Sequence, residues 1–128
     1  MLALFMAMIC TPVPGAPLPN GADTMVREFA TCTGRLSAMM GNPDIIAGLT
    51  PQQLRDDRDS FSDLLAASLP GRSDMALSRQ ALTWRVQARA AHHSLLQIAA
   101  YSPDPRRARI ARATLRAQIT ACRAMLLQ

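Results

Sequence analysis

The chain has 128 residues, which is one domain by size. Its formal net charge of +5 rests on fourteen arginines, no lysine and nine acids. Aromatic residues are too few (one Trp, one Tyr, three Phe) to fill a core, so the core must come from Leu, Ile, Ala and Met. There is no GxSxG turn, no glycine-rich phosphate loop and no metal-spaced His or Cys pair, so composition and motif together point away from an enzyme.

Residues Met1 to Cys10 are uncharged and almost wholly apolar, and Thr11 to Asn20 hold four prolines. A membrane-crossing helix needs about 20 apolar residues, so this stretch is too short and too broken. It fits the apolar region of a secretory signal, with small residues following at Val13-Pro14-Gly15 and again at Asn20-Gly21-Ala22. The expectation is a signal peptide or leader over residues 1–22 and a helical domain over 23–128. A signal normally opens with Lys or Arg, and here only the terminal amine supplies positive charge. Cys10 lacks the preceding Leu and small residue of a lipid-attachment site.

The first helical pattern runs from about Thr24 to Met40, capped by Asp23 or Thr24. Met25, Phe29, Cys32, Leu36 and Met39 recur at steps of three and four and form one apolar stripe. Gly41-Asn42-Pro43 ends it. A short apolar link, Asp44 to Leu49, leads into Thr50-Pro51-Gln52-Gln53. Thr at the cap, Pro at the first helical position and Gln three after the cap predict a capping box. The second helix then reaches Leu69, with Leu54, Phe61, Leu64, Leu65 and Leu69 inward. Asp56, Asp59 and Asp63 share a face with Arg55 and Arg58 interleaved, which reads as a solvated, paired surface.

The third helix starts near Ser73 or Asp74 and runs to about Tyr101. Leu77, Ala81, Trp84, Ala88, Ala91, Leu95 and Ile98 form a heptad seam, the pattern of a central bundle helix. Ser102-Pro103-Asp104-Pro105 breaks it, and Asp104 caps a fourth helix that runs to about Leu127. There Ala108, Ala111, Leu115, Ile119, Cys122 and Leu126 face the core.

Short connections predict antiparallel neighbours, hence an all-α, up-down four-helix bundle with the first and fourth helices side by side. Cys32 then lies about 12 Å from one end of the bundle and Cys122 about 8 Å from the same end. A Cys32–Cys122 disulfide follows, and such a bond belongs to an oxidising compartment, the periplasm or a secreted space.

Charge is uneven. From Met75 onward there are nine arginines and one acid, Asp104. Arg106, Arg109, Arg112 and Arg116 crowd the start of the fourth helix as a candidate contact for an anionic partner, either a protein or an anionic membrane surface. The competing expectation is that this face pairs with the aspartates of the second helix. Nucleic acid is disfavoured, since no aromatic residue stands among the arginines for base stacking. His92 and His93 are adjacent, point about 100° apart on a helix and cannot grip one metal from one face, so they read as surface or flank residues. The methionines read as core filler. No catalytic residue, metal, cofactor or small-molecule substrate is indicated.

Leu49-Thr50-Pro51-Gln52-Gln53 resembles the Leu-Thr-x-x-Gln motif of periplasmic helical chaperones of the Spy/CpxP type. The resemblance covers five residues. That family shows the motif twice, and here Leu82-Thr83 is followed by Gln87, one residue late. No functional residue is carried over from it. The sequence therefore predicts a small exported non-enzymatic binding protein, with a cytosolic helical adaptor or nucleic-acid-associated protein as the alternative.

Overall fold

The computed structural model describes residues 21–69, 71 and 74–128. The leader expected over residues 1–22 therefore lies outside the described residues, apart from Gly21 and Ala22. The described residues form four α-helices: α1 (Gly21–Met39), α2 (Pro51–Ser68), α3 (Met75–Tyr101) and α4 (Pro105–Leu126). One 3-10 turn, Pro43–Ile45, sits between α1 and α2, and there is no strand among the described residues.

The helix boundaries follow from local chemistry. Gln53 N donates to Thr50 Oγ1 at 3.1 Å, and Thr50 N donates to Gln53 Oε1 at 2.9 Å, so the predicted capping box closes. Asp74 Oδ1 accepts from Leu77 N, and Asp104 Oδ1 accepts from Arg106 N, each at 2.9 Å. Each such cap contributes about 1 kcal/mol. The first helix departs from its predicted start. It is already helical at Gly21, so Asp23 lies in its first turn rather than at its cap.

Burial places α1, not α3, at the centre. Val26 and Ala30 face Leu65 of α2 and Ala81 of α3. Cys32, Leu36 and Met39 face a larger cluster with Leu54, Phe61, Leu96, Leu115 and Ile119. Phe29 packs against both clusters and meets the Phe61 ring at 6.0 Å between centroids. The single predicted stripe on α1 is thus too narrow, and its first member, Met25, is 50% exposed. In α2, Leu54, Phe61 and Leu65 are buried, whereas Leu64 is exposed. In α4, Ala108, Ala111, Leu115, Ile119 and Cys122 are buried as expected, and Leu126 is partly so.

The α3 seam drifts. Leu77, Ala81, Trp84 and Ala88 turn inward as predicted, but then His92, Leu96 and Ala99 take the places assigned to Ala91, Leu95 and Ile98. A strict seven-residue repeat slips by about 20° per heptad on a straight helix of 3.6 residues per turn. Over three heptads that slip moves the inward position by most of one residue. Ala91 is exposed, and Leu95 and Ile98 are only partly buried.

Short loops predict α1 beside α4. Instead α1 packs most extensively on α3, then on α2, and touches α4 far less. Gly34 is the reason. A Cβ there would run into the backbone carbonyl of Arg85, and would lie 3.0 Å from the Arg89 backbone N and 3.2 Å from Ala88 Cβ. With hydrogen in its place, the α3 backbone closes directly on α1. Across this thin α1–α4 boundary Cys32 and Cys122 are disulfide-bonded, with Cα atoms 5.6 Å apart.

Replacing Gly34 with Ala must push two backbones apart, because the obstructing atoms are main chain. Overpacking of this kind costs about 1–3 kcal/mol. Urea denaturation of Gly34→Ala should show a loss in that range or above; a midpoint equal to wild type would refute the close contact.

Candidate arginine face

The buried stripe of α4 leaves its arginines outward. Arg106, Arg107, Arg109, Arg112 and Arg116 are all exposed. They do not share one state. Arg112 Nη2 donates to Ala99 O at 2.9 Å, which satisfies a carbonyl of the last turn of α3 and sets a positive charge at that helix's negative end. The side chains of Arg106, Arg109 and Arg116 make no hydrogen bond or ion pair to the described residues.

The expected pairing of α4 with the α2 aspartates occurs one turn and more beyond this group. Arg123 Nε donates to Asp57 Oδ2 at 2.7 Å, with the Asp57 side chain only 17% exposed. Two other acids of α2 are held locally. Asp56 accepts from Gln52 Nε2 at 2.7 Å, and Asp59 accepts from Arg58 Nε and Nη2 at 2.9 and 2.7 Å. Arg123 was not among the candidate binding residues, and it is the arginine that carries the α2–α4 ion pair. Arg116 and Arg123 also line a groove of about 470 Å3 with the apolar side chains of Ile46, Leu49, Ile119 and Leu126. Charged heads beside an apolar lining give this end of the face an amphipathic character.

His92 corrects the sequence reading. It is 1% exposed, not on the surface. Its Nδ1 lies 2.9 Å from Gln118 Oε1 of α4, so the ring donates from Nδ1 when the amide oxygen faces it. Nε2 is then a buried acceptor without a hydrogen-bond partner. Burial lowers the imidazole below its ordinary value of 6.5, the Gln118 bond works the other way, and the nearby positive charge of Arg35 lowers it further. Arg35 is itself lowered by burial. The ring is therefore held neutral between α3 and α4. His93 is exposed and lies 3.4 Å from Gln97 Nε2. No group of three His, Cys, Asp or Glu side chains able to hold a metal exists among the described residues. The methionines are dispersed: Met39 is fully buried, Met25 and Met75 are exposed, and Met40 Sδ accepts from Arg58 Nη1 at 3.0 Å.

A histidine lowered in the folded state is charged more readily in the unfolded chain. Its contribution to stability is full above about pH 6.5 and is lost as pH falls from there toward the folded value. Denaturant unfolding between pH 7.5 and about 5 should show that loss. His92→Gln should flatten it; a wild-type slope in His92→Gln would refute the assignment. No protein family, curated protein or solved structure matches this chain.

Proposed function

We propose that this chain is a small exported helical protein that works by binding rather than catalysis, and that the exposed arginines of α4 are its contact with an anionic partner. That partner is an acidic protein surface or the anionic headgroups of an envelope membrane. The observation that carries the reading is the state of Arg106, Arg109 and Arg116. Three outward guanidiniums lie within about three turns of helix and form no ion pair with the α2 acids, of which Asp56, Asp57 and Asp59 have other partners. Arg112 stands between them and shares its charge with the end of α3.

Export is supported by the Cys32–Cys122 bond, since structural disulfides belong to oxidising compartments. No helix among the described residues is long and apolar enough to cross a membrane. In this reading the four helices alternate in direction as an up-down bundle. Support comes from contacts that join the first part of one helix to the last part of its neighbour: Ala99 meets Arg112, and Leu65 packs with Val26.

The arginine face predicts binding to vesicles containing anionic lipid, or to an acidic protein, that weakens as salt rises. Each arginine near an anionic surface contributes about 1 kcal/mol, so the triple variant Arg106→Gln, Arg109→Gln, Arg116→Gln should bind about a hundredfold more weakly. Co-sedimentation with anionic and zwitterionic vesicles measures it. Equal binding by the variant removes the face from consideration.

Export predicts a second outcome. Intact mass of the protein from its own host, under non-reducing conditions, should show a chain trimmed of its apolar leader and two hydrogens lighter than the dithiol. An untrimmed, reduced chain would favour a cytosolic adaptor.

A further inference from the structure

A second concave site lies away from α4, where α1, α2 and α3 meet. Thr33, Ser37, Arg58, Ser62, Arg85 and Arg89 line a largely polar groove of about 640 Å3. Its position follows from the Gly34 contact. Ala88 faces Gly34, and the close approach of the two backbones brings the residues on either side of Ala88, Arg85 and Arg89, to the margin of α1. Two like charges one turn apart on a helix repel each other, so this spacing is unfavourable unless an anion lies between them.

The groove does not neutralise itself. Three guanidiniums stand against one carboxylate, Asp59, and that carboxylate already accepts from both Nε and Nη2 of Arg58. The remaining Arg58 amino group points to Met40 Sδ. Arg58 is thus a fixed wall. Arg85 and Arg89 make no side-chain hydrogen bond or ion pair to the described residues.

The hydroxyls divide in the same way. Thr33 Oγ1 donates to Phe29 O at 2.8 Å and Ser37 Oγ donates to Thr33 O at 2.7 Å, so both protons are committed to the helix. The Ser62 hydroxyl carries no such bond and remains a donor toward the groove. Two forked guanidiniums and one hydroxyl donor, with the one acid of the groove, Asp59, already engaged by Arg58, match a tetrahedral oxyanion that carries two charges.

We propose that this groove binds a small phosphate-class oxyanion, gripped by the forks of Arg85 and Arg89 and hydrogen-bonded from Ser62. The ligand is inorganic phosphate or the phosphate group of a small monoester. A concave polar pocket admits such a group. The site is independent of the α4 contact and stands or falls separately from it.

The test is a titration of the full-length oxidised protein with inorganic phosphate, followed by backbone and arginine Nε shifts in 1H–15N spectra. Acetate and chloride at matched ionic strength serve as controls. Phosphate should give saturable shifts in the millimolar range at Arg85, Arg89 and Ser62, and the controls should not. Arg85→Gln with Arg89→Gln should weaken binding about tenfold or more, because two charge-assisted contacts are lost. Arg85→Lys with Arg89→Lys keeps the charge and loses the fork, so it should bind less tightly than wild type. It also supplies the answer if the Gln pair fails to fold. A phenyl phosphate arm tells a monoester from the free ion by its tighter or weaker saturation at the same residues. The α4 triple variant should bind phosphate as wild type does. Shifts that grow linearly, equal shifts with chloride, or unchanged binding in the Gln or Lys pair would each overturn the site.

Discussion

The contact that the rest of the molecule depends on is the one at Gly34, where α3 closes on α1 with no side chain between them. It makes α1 the helix around which the others pack. With α3 directly on one flank of α1, α2 packs on α1, α4 packs mainly on α3, and the core divides into two clusters joined by Phe29. A pair this close buries little large apolar area at the crossing itself, since the residues there are Gly34 and Ala88. Stability has to come from the flanks, where Phe61, Leu36, Met39, Leu115 and Ile119 are fully buried. Each such side chain contributes roughly 1.5–3 kcal/mol relative to exposure.

The same geometry explains why a covalent bond stands between α1 and α4. Packing between these two helices is thin, and Cys32 and Cys122 are separated by 90 residues of sequence. Closing a loop of that length removes conformational freedom from the unfolded chain worth about 4 kcal/mol in the chain-entropy account. Against a total of about 5–15 kcal/mol for a domain, that is a large share. The bond supplies by restriction of the unfolded chain what the α1–α4 interface does not supply by apolar burial.

How much of this was legible in the sequence depends on the kind of signal each helix carried. In α2 and α4 the polar and apolar residues alternate sharply, and Thr50, Asp74 and Asp104 announce the starts of α2, α3 and α4, so the boundaries and most of the inward residues could be read directly. In α1 they could not. Its second buried flank is Val26, Ala30, Thr33 and Gly34, and small or weakly polar residues look the same whether a helix is covered on one side or two. In α3 the heptad pattern was real at its start and misleading at its end, because 3.5 and 3.6 residues per turn part company over three repeats. That pattern left His92 outside the inward set. Counting at 3.6 from Ala81 reaches position 92 at the third turn, and would have turned this residue inward.

Arginine is where sequence reasoning stops earliest. Periodicity states which face of a helix a charge occupies but not whether its donors are already engaged. Arg58, Arg112 and Arg123 hold Asp59, the Ala99 carbonyl and Asp57, and they belong to the architecture. Arg106, Arg109 and Arg116 have no such role, and neither do Arg85 and Arg89. These two sets differ in surroundings rather than in chemistry. Along α4 the charges are exposed and are screened within about 8 Å at physiological salt, so they act on a partner only by summing over several residues. In the groove beside Gly34, Arg85 and Arg89 of α3 line one concave volume together with Ser62 of α2, so the direction of their donors matters more than their number. An extended anionic surface suits the first arrangement and a compact oxyanion the second, and the difference between them originates in a single missing side chain on α1.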